Sequence, residues 1–128
     1  MEIAMEKKGA EAEIEERVEL SILYDFYGAL LKENQQRMFE ASILEDYNFA
    51  EIAEEEGISR QGAYDAIKRA IKQLRGYEEK LGLVAKFQKQ KVLVQKLRKE
   101  LAQTDIKENE KQWQMISEIL EEILDDEE

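Results

Sequence analysis

Residues 46–75 read DYNFAEIAEEEGISRQGAYDAIKRAIKQLR, and this stretch decides the fold. Apolar residues recur at steps of three and four on both sides of Gly57-Ile58-Ser59. That spacing predicts a helix, a three-residue turn and a second helix. Asn48 precedes the first helix, expected over residues 49–56 with Ile52 and Ala53 inward. Ala53 is small, so two helices can cross closely there. Gly57 supplies the positive φ that ends a helix and that a bulky residue adopts only at a cost. Ile58 is expected to plug the corner. Ser59 is expected to accept hydrogen bonds from the first amides of the next helix. That helix places Ala63, Ile67, Ala70, Ile71 and Leu74 on its buried side. A small residue, then Gly, an apolar residue and Ser is the local logic of a helix-turn-helix.

The opposite side of the second helix carries Arg60, Gln61, Tyr64, Asp65, Lys68, Lys72 and Arg75. Arg and Gln near the start of a recognition helix are the types that read guanine and adenine edges in the major groove. Lys68, Arg69 and Lys72 suit phosphates on the flanks. Tyr64 can meet a thymine methyl or a phosphate. The candidate DNA-binding set is therefore Ser59, Arg60, Gln61, Tyr64, Lys68, Arg69 and Lys72. Gly62 weakens the helix by up to about 1 kcal/mol against Ala and leaves room for close approach. Asp65 is discordant beside phosphate. It is expected to accept from a cytosine amino group or to orient Arg60 or Arg69. A helical hairpin whose basic face is solvated or holds a protein remains the competing reading.

Outward from this element, the rest also reads as helix. Residues 12–31 carry Val18, Ile22, Leu23, Phe26, Leu30 and Leu31 along one side, flanked by Tyr24 and Tyr27. A second helix is expected over residues 34–44, with Asn34 as its cap. The recognition helix either ends at Gly76 or runs on through Tyr77 towards Lys80. A fifth helix follows over residues 83–101, with Leu83, Phe87, Val94, Leu97 and Leu101 in a stripe. Thr104-Asp105 is the next expected cap. The last helix, residues 108–124, presents Trp113, Ile116, Leu120 and Ile123 as a short coiled-coil-like seam. The expected organisation is a flexible leader at 1–10, a helical core at 11–80 with the helix-turn-helix at 49–75, a C-terminal helical extension at 81–124 and an acidic tail at 125–128. The fold class is all-α.

Composition bounds the chemistry. The 128 residues contain no His, no Cys and no Pro. That excludes a zinc finger, a Cys nucleophile, a His base and a Ser–His–Asp triad. The runs Glu13-Ile14-Glu15-Glu16 and Glu54-Glu55-Glu56 fan around their helices, so no spacing demands a catalytic carboxylate pair. The chain is therefore expected to be no enzyme and to need no cofactor. No apolar run is long enough for a transmembrane helix, and a cytoplasmic protein without membrane insertion is expected.

The net charge of −11 is unevenly placed. Residues 1–56 hold 16 acids and 5 bases, residues 57–100 hold 4 acids and 12 bases, and residues 101–128 hold 10 acids and 2 bases. The basic middle contains the recognition helix, and carboxylates beyond roughly 10 Å are largely screened from it. Global acidity thus does not veto DNA as a partner. A helix-turn-helix protein usually binds as a dimer, so a homodimer is expected, with the first, fifth and sixth helices contributing to its interface.

Glu51-Ile52-Ala53, Gly57-Ile58-Ser59, Ala63, Ile67 and Arg69-Ala70 resemble the helix-turn-helix of sigma-factor region 4. A closer resemblance is to the YlxM family of small bacterial proteins. It is carried by Tyr24-Asp25-Phe26-Tyr27, Leu30-Leu31, Glu51-Ile52-Ala53-Glu54-Glu55, Ser59-Arg60-Gln61, Tyr64-Asp65, Ile67-Lys68-Arg69 and Tyr77-Glu78-Glu79-Lys80-Leu81. It covers about residues 20–90 and leaves out the leader and the last helix. Family members more often show Ala-Val where this chain has Gly62-Ala63. The resemblance implies a dimeric DNA-binding protein. It also implies a link to the signal recognition particle pathway, whose GTPase gene commonly neighbours the family's, and hence a regulator or a component that meets the particle's protein or RNA.

Overall fold

The structure, a computed structural model, describes the backbone of residues 2–125 and the side chains of residues 9–125. Its helices are α1 (Glu2–Tyr27), α2 (Glu33–Phe39), α3 (Phe49–Glu56), α4 (Arg60–Leu81), α5 (Leu83–Ala102) and α6 (Glu110–Asp125). Among the described residues no strand occurs, so the all-α class holds. Of the tail expected at residues 125–128, only Asp125 lies within the described residues. The chain forms two compact units, Met1–Gly82 and Leu83–Glu128.

In the first unit α2 and α3 pack on α4, and α1 packs against α4 and the end of α2. Met38, Ile52, Ala53, Ala63 and Ile67 form a buried cluster, with Ala41, Phe49, Ala66 and Ile71 around it. The alanines matter because a helix pair can approach closely only where side chains are short. Burying each larger aliphatic contributes roughly 1.5–3 kcal/mol. Tyr24 stacks on Phe39, with ring centroids 4.7 Å apart. Its hydroxyl donates to Glu40 Oε1 at 2.6 Å, and burial, then the Glu40 carboxylate, raises it well above the usual phenol range. The Tyr27 hydroxyl donates to Glu78 Oε1 at 2.6 Å and so ties α1 to the far half of α4.

Three expectations about this unit need correction. The first helix starts at Glu2, not near residue 12, and ends at Tyr27. Its buried residues are Leu20, Leu23 and Tyr27, continued by Leu31, whereas Val18 and Leu30 are 54% and 58% exposed. The cause of Leu30's position is a tight turn over Gly28–Leu30. A Cβ on Gly28 would lie 2.9 Å from the Tyr24 ring, so only glycine fits there. Gln36 Nε2 donates to the carbonyls of Gly28 and Leu31 and holds the turn shut. Asn34 does not cap α2. The helix opens at Glu33, and the Gln35 side chain accepts from the Lys32 amide instead.

The chain after α2 widens into a π turn over Glu40–Leu44, with Glu45 N–H bonded to the Glu40 carbonyl. Asp46 then takes φ 60. Arg17 spans this bend, bonding the Ile43 carbonyl at 3.0 Å and Asp46 at 3.2 Å. The bend sets where α3 starts. α4 runs through Gly76 without a break and ends at Gly82, whose φ is 62.

In the second unit α5 and α6 form a hairpin through a short turn at Asp105–Glu108. Thr104 caps that turn, while α6 is capped by Asn109, whose side chain accepts from the Gln112 amide. Val94 and Leu120 are buried at 7% and 3% exposure. Phe87, Leu101, Trp113 and Ile116 are half-buried. Leu83, Leu97 and Ile123, expected inward, are exposed. The hairpin is tied by Arg98 to Glu121 at 2.8 Å and by Gln90 Nε2 to the Ile123 carbonyl.

Candidate nucleic-acid interface

The turn between α3 and α4 is fixed by hydrogen bonds at both of its ends. At the start of α3, Asn48 accepts from the Glu51 amide, and Glu51 accepts from the Asn48 amide. At its end, Gly57 takes φ 69. Ile58 N–H bonds the Ala53 carbonyl and Gly57 N–H the Glu54 carbonyl, the paired closure of a Schellman motif. Ser59 Oγ accepts from the Gly62 amide at 2.9 Å and opens α4. A Cβ on Gly62 would lie 3.0 Å from that hydroxyl, so the glycine gives the cap its room. Ile58 does not plug the corner. It is 42% exposed, because the Schellman closure turns the chain outward at that residue. Arg37 binds Glu56 at 3.0 Å from α2, which holds the end of α3 and raises the guanidinium further above its usual range.

All seven candidate residues, Ser59, Arg60, Gln61, Tyr64, Lys68, Arg69 and Lys72, are exposed on α4 or at its cap. Ala63, Ile67, Ala70 and Leu74 fill the opposite side. At 3.6 residues per turn, Gln61, Asp65 and Lys72 lie nearest the centre of the outward face, with Lys68 about 50° to one side of it. Arg60 and Tyr64 lie on the side towards α3, and Arg69 lies on the far flank.

Two contacts order this face. Gln61 Nε2 donates to Asp65 Oδ1 at 3.0 Å. Asp65 therefore orients Gln61, not Arg60 or Arg69. That bond uses one N–H of the exposed Gln61 amide, and the amide's other N–H and its oxygen are the kind of donor–acceptor pair that matches an adenine edge. Tyr64 packs edge-on against Phe49 at 5.2 Å, and Lys68 Nζ sits 5.5 Å from the Tyr64 ring centroid. Phe49, Arg60, Gln61 and Tyr64 line an open notch at the start of α4. Phe49 was not among the sequence-derived candidates. Its signal was an aromatic directly after the Asn48 cap, on the helix that precedes the turn.

The ion pairs separate the arginines. Arg17, Arg37, Arg75 and Arg98 each bind a carboxylate. Arg75, placed on the outward face by its spacing, is drawn to Glu16 at 3.5 Å. The other two arginines of the chain are Arg60 and Arg69, both on α4. Among the described residues neither of them, nor Lys68 or Lys72, forms an ion pair. Among the described residues no group of three or more acidic side chains is arranged to hold a metal ion, and no helix is long and apolar enough to cross a membrane.

Residues 14–126 match the family described as "helix-turn-helix protein, YlxM / p13 like". The match reaches the last helix, which the resemblance drawn from residues 20–90 had left outside. A UPF0122 protein of Caldanaerobacter subterraneus subsp. tengcongensis is 52% identical over 79 residues, 62% of this chain and 68% of the relative. One of Thermoanaerobacter sp. (strain X514) is 44% identical over 104 residues, 81% of this chain and 86% of the relative. One of Halalkalibacterium halodurans is 42% identical over 85 residues, 66% of this chain and 78% of the relative. With the turn, its caps and the helical core in the same stretch, the chain belongs to the YlxM/p13-like helix-turn-helix family.

Proposed function

We propose that the protein is a cytoplasmic DNA-binding regulator that lays α4 in the major groove of duplex DNA. The observation that supports this most is the pairing of the arginines. Four are neutralised by carboxylates, and the two without such a partner stand on the recognition helix. An unpaired guanidinium costs nothing to free before it meets a phosphate or a guanine edge. In this reading Arg60 and Gln61 contact bases, and Gln61 is held in register by Asp65. Ser59, Lys68, Arg69 and Lys72 contact the backbone, with Lys68 steadied over Tyr64. A dimer would present two recognition helices to paired half-sites.

Selection of bound duplexes from random DNA tests the assignment. The wild type should enrich a short motif. Arg60→Ala with Gln61→Ala should lose that motif, since each bidentate base contact is worth about 1–3 kcal/mol of discrimination. Enrichment of the same motif by the double variant would refute the base-reading role. Absence of duplex affinity at low salt, with binding to the RNA or GTPase of the signal recognition particle, would replace DNA by that partner.

A further inference from the structure

α5 carries Lys86, Lys89, Lys91, Lys96, Arg98 and Lys99 against one acid, Glu100. Its inward stripe is Val84, Phe87, Val94 and Leu101, all buried or half-buried. At 3.6 residues per turn, Lys86, Lys89 and Lys96 point about 100°, 160° and 180° away from the middle of that stripe. Lys99 points about 120° away on the other side. All four are exposed. α6 packs on α5 and brings its carboxylates to the front of the helix. Arg98, about 20° from the middle of the stripe, takes Glu121 there at 2.8 Å. A helix with its side chains is about 10–12 Å thick, so the acids of α6 do not reach the lysines on its back. Among the described residues no lysine of α5 forms an ion pair, with Glu100 or with any other acid.

We propose that the back of α5 is a second nucleic-acid contact, which holds the phosphate backbone of duplex DNA without reading its bases. Lys86 to Lys99 span about 20 Å of helix. A phosphate recurs about every 3.4 Å of axis along one strand, so a span of that length faces about six of them. Lysine suits the task, because its ammonium is a compact charge on a flexible stem and needs no fixed geometry at the phosphate. The charges are already free of carboxylates, so binding displaces counterions and breaks no ion pair. The proposal rests on the DNA-binding reading of α4 and extends it. α4 supplies the preference for sequence, and α5 adds affinity that is the same for every sequence.

The salt dependence of full-chain binding to a duplex of arbitrary sequence tests this. Lys86→Ala, Lys89→Ala and Lys96→Ala together should flatten the slope of log affinity against log salt concentration by roughly 2.7, at about 0.9 for each lost contact. The same three positions changed to Arg should keep the slope. Lys107→Ala with Lys111→Ala removes charge from the turn and the start of α6 and should leave the slope unchanged. A control pair that flattens the slope as much per charge would overturn the inference, because net charge and not α5 would then carry the effect. An unchanged slope in the triple variant, with a flattened one in Lys68→Ala with Lys72→Ala, would overturn it and leave the role of α4 intact. The reverse pattern would uphold the contact by α5 and remove α4. No duplex affinity of the wild type at low salt, or an effect of the triple variant on duplex RNA alone, would overturn both.

Discussion

In the first unit Phe39, Ala63, Ala70 and Leu74 are fully buried, whereas in the second Val92, Leu93, Leu97, Met115 and Ile119 each keep about half of their surface in water. Both units are amphipathic helices joined by short capped turns. The difference lies in the number of neighbours. α4 touches α1, α2 and α3 and can bury a broad face. Within the second unit, α5 and α6 cover on each other mainly the stripe along which they meet. The first unit therefore holds α4 against three helices and leaves its outward face to solvent. The second leaves apolar side chains on both helices in water.

This contrast should appear in unfolding experiments on the full chain. Far-ultraviolet circular dichroism follows both units, while the fluorescence of Trp113, the chain's only tryptophan, follows the second. Phe39→Ala should have the largest effect, destabilising the first unit by about 3–5 kcal/mol, since it leaves a cavity under the Tyr24 ring. Gly57→Ala should follow at about 1–2 kcal/mol, because an L side chain at φ 69 is strained even with open space around it. Ser59→Ala should cost about 1 kcal/mol through loss of the cap to Gly62. Leu97→Ala should be smallest, under about 0.5 kcal/mol at concentrations where the chain is monomeric. A Leu97 effect as large as that of Phe39 would break the comparison. A Leu97 effect that grows with protein concentration would sharpen it.

The two regions also differ in how well the sequence specifies them. Asn48, Gly57 and Ser59 each do a job that few residues can do, so the boundaries of α3 and the start of α4 are legible from the chain alone. α1 is different. Leu20, Ile22, Leu23, Phe26 and Tyr27 surround much of the helix with apolar side chains, and Leu30 and Leu31 extend the same pattern past its end, so periodicity leaves the buried face open. Gly28 and the Tyr24 ring decide it, together with the Tyr27–Glu78 bond across 51 residues. In α5 and α6 the apolar stripes are wider than one hairpin seam can cover. Spacing alone then marks Leu97 and Ile123 as inward when they are not. On the recognition helix the candidate side chains were legible by type. The Gln61–Asp65 bond and the loss of Arg75 to Glu16 needed the fold, since one of several partners wins by distance.

The central claim is that cations on α4 left without carboxylate partners neutralise phosphates. Its most direct test is the salt dependence of duplex binding. Each phosphate contact contributes about −0.9 to the slope of log affinity against log salt concentration. Lys68→Ala with Lys72→Ala should therefore flatten the wild-type slope by roughly 1.8 and weaken all duplex sequences alike. An unchanged slope in the double variant would contradict the account.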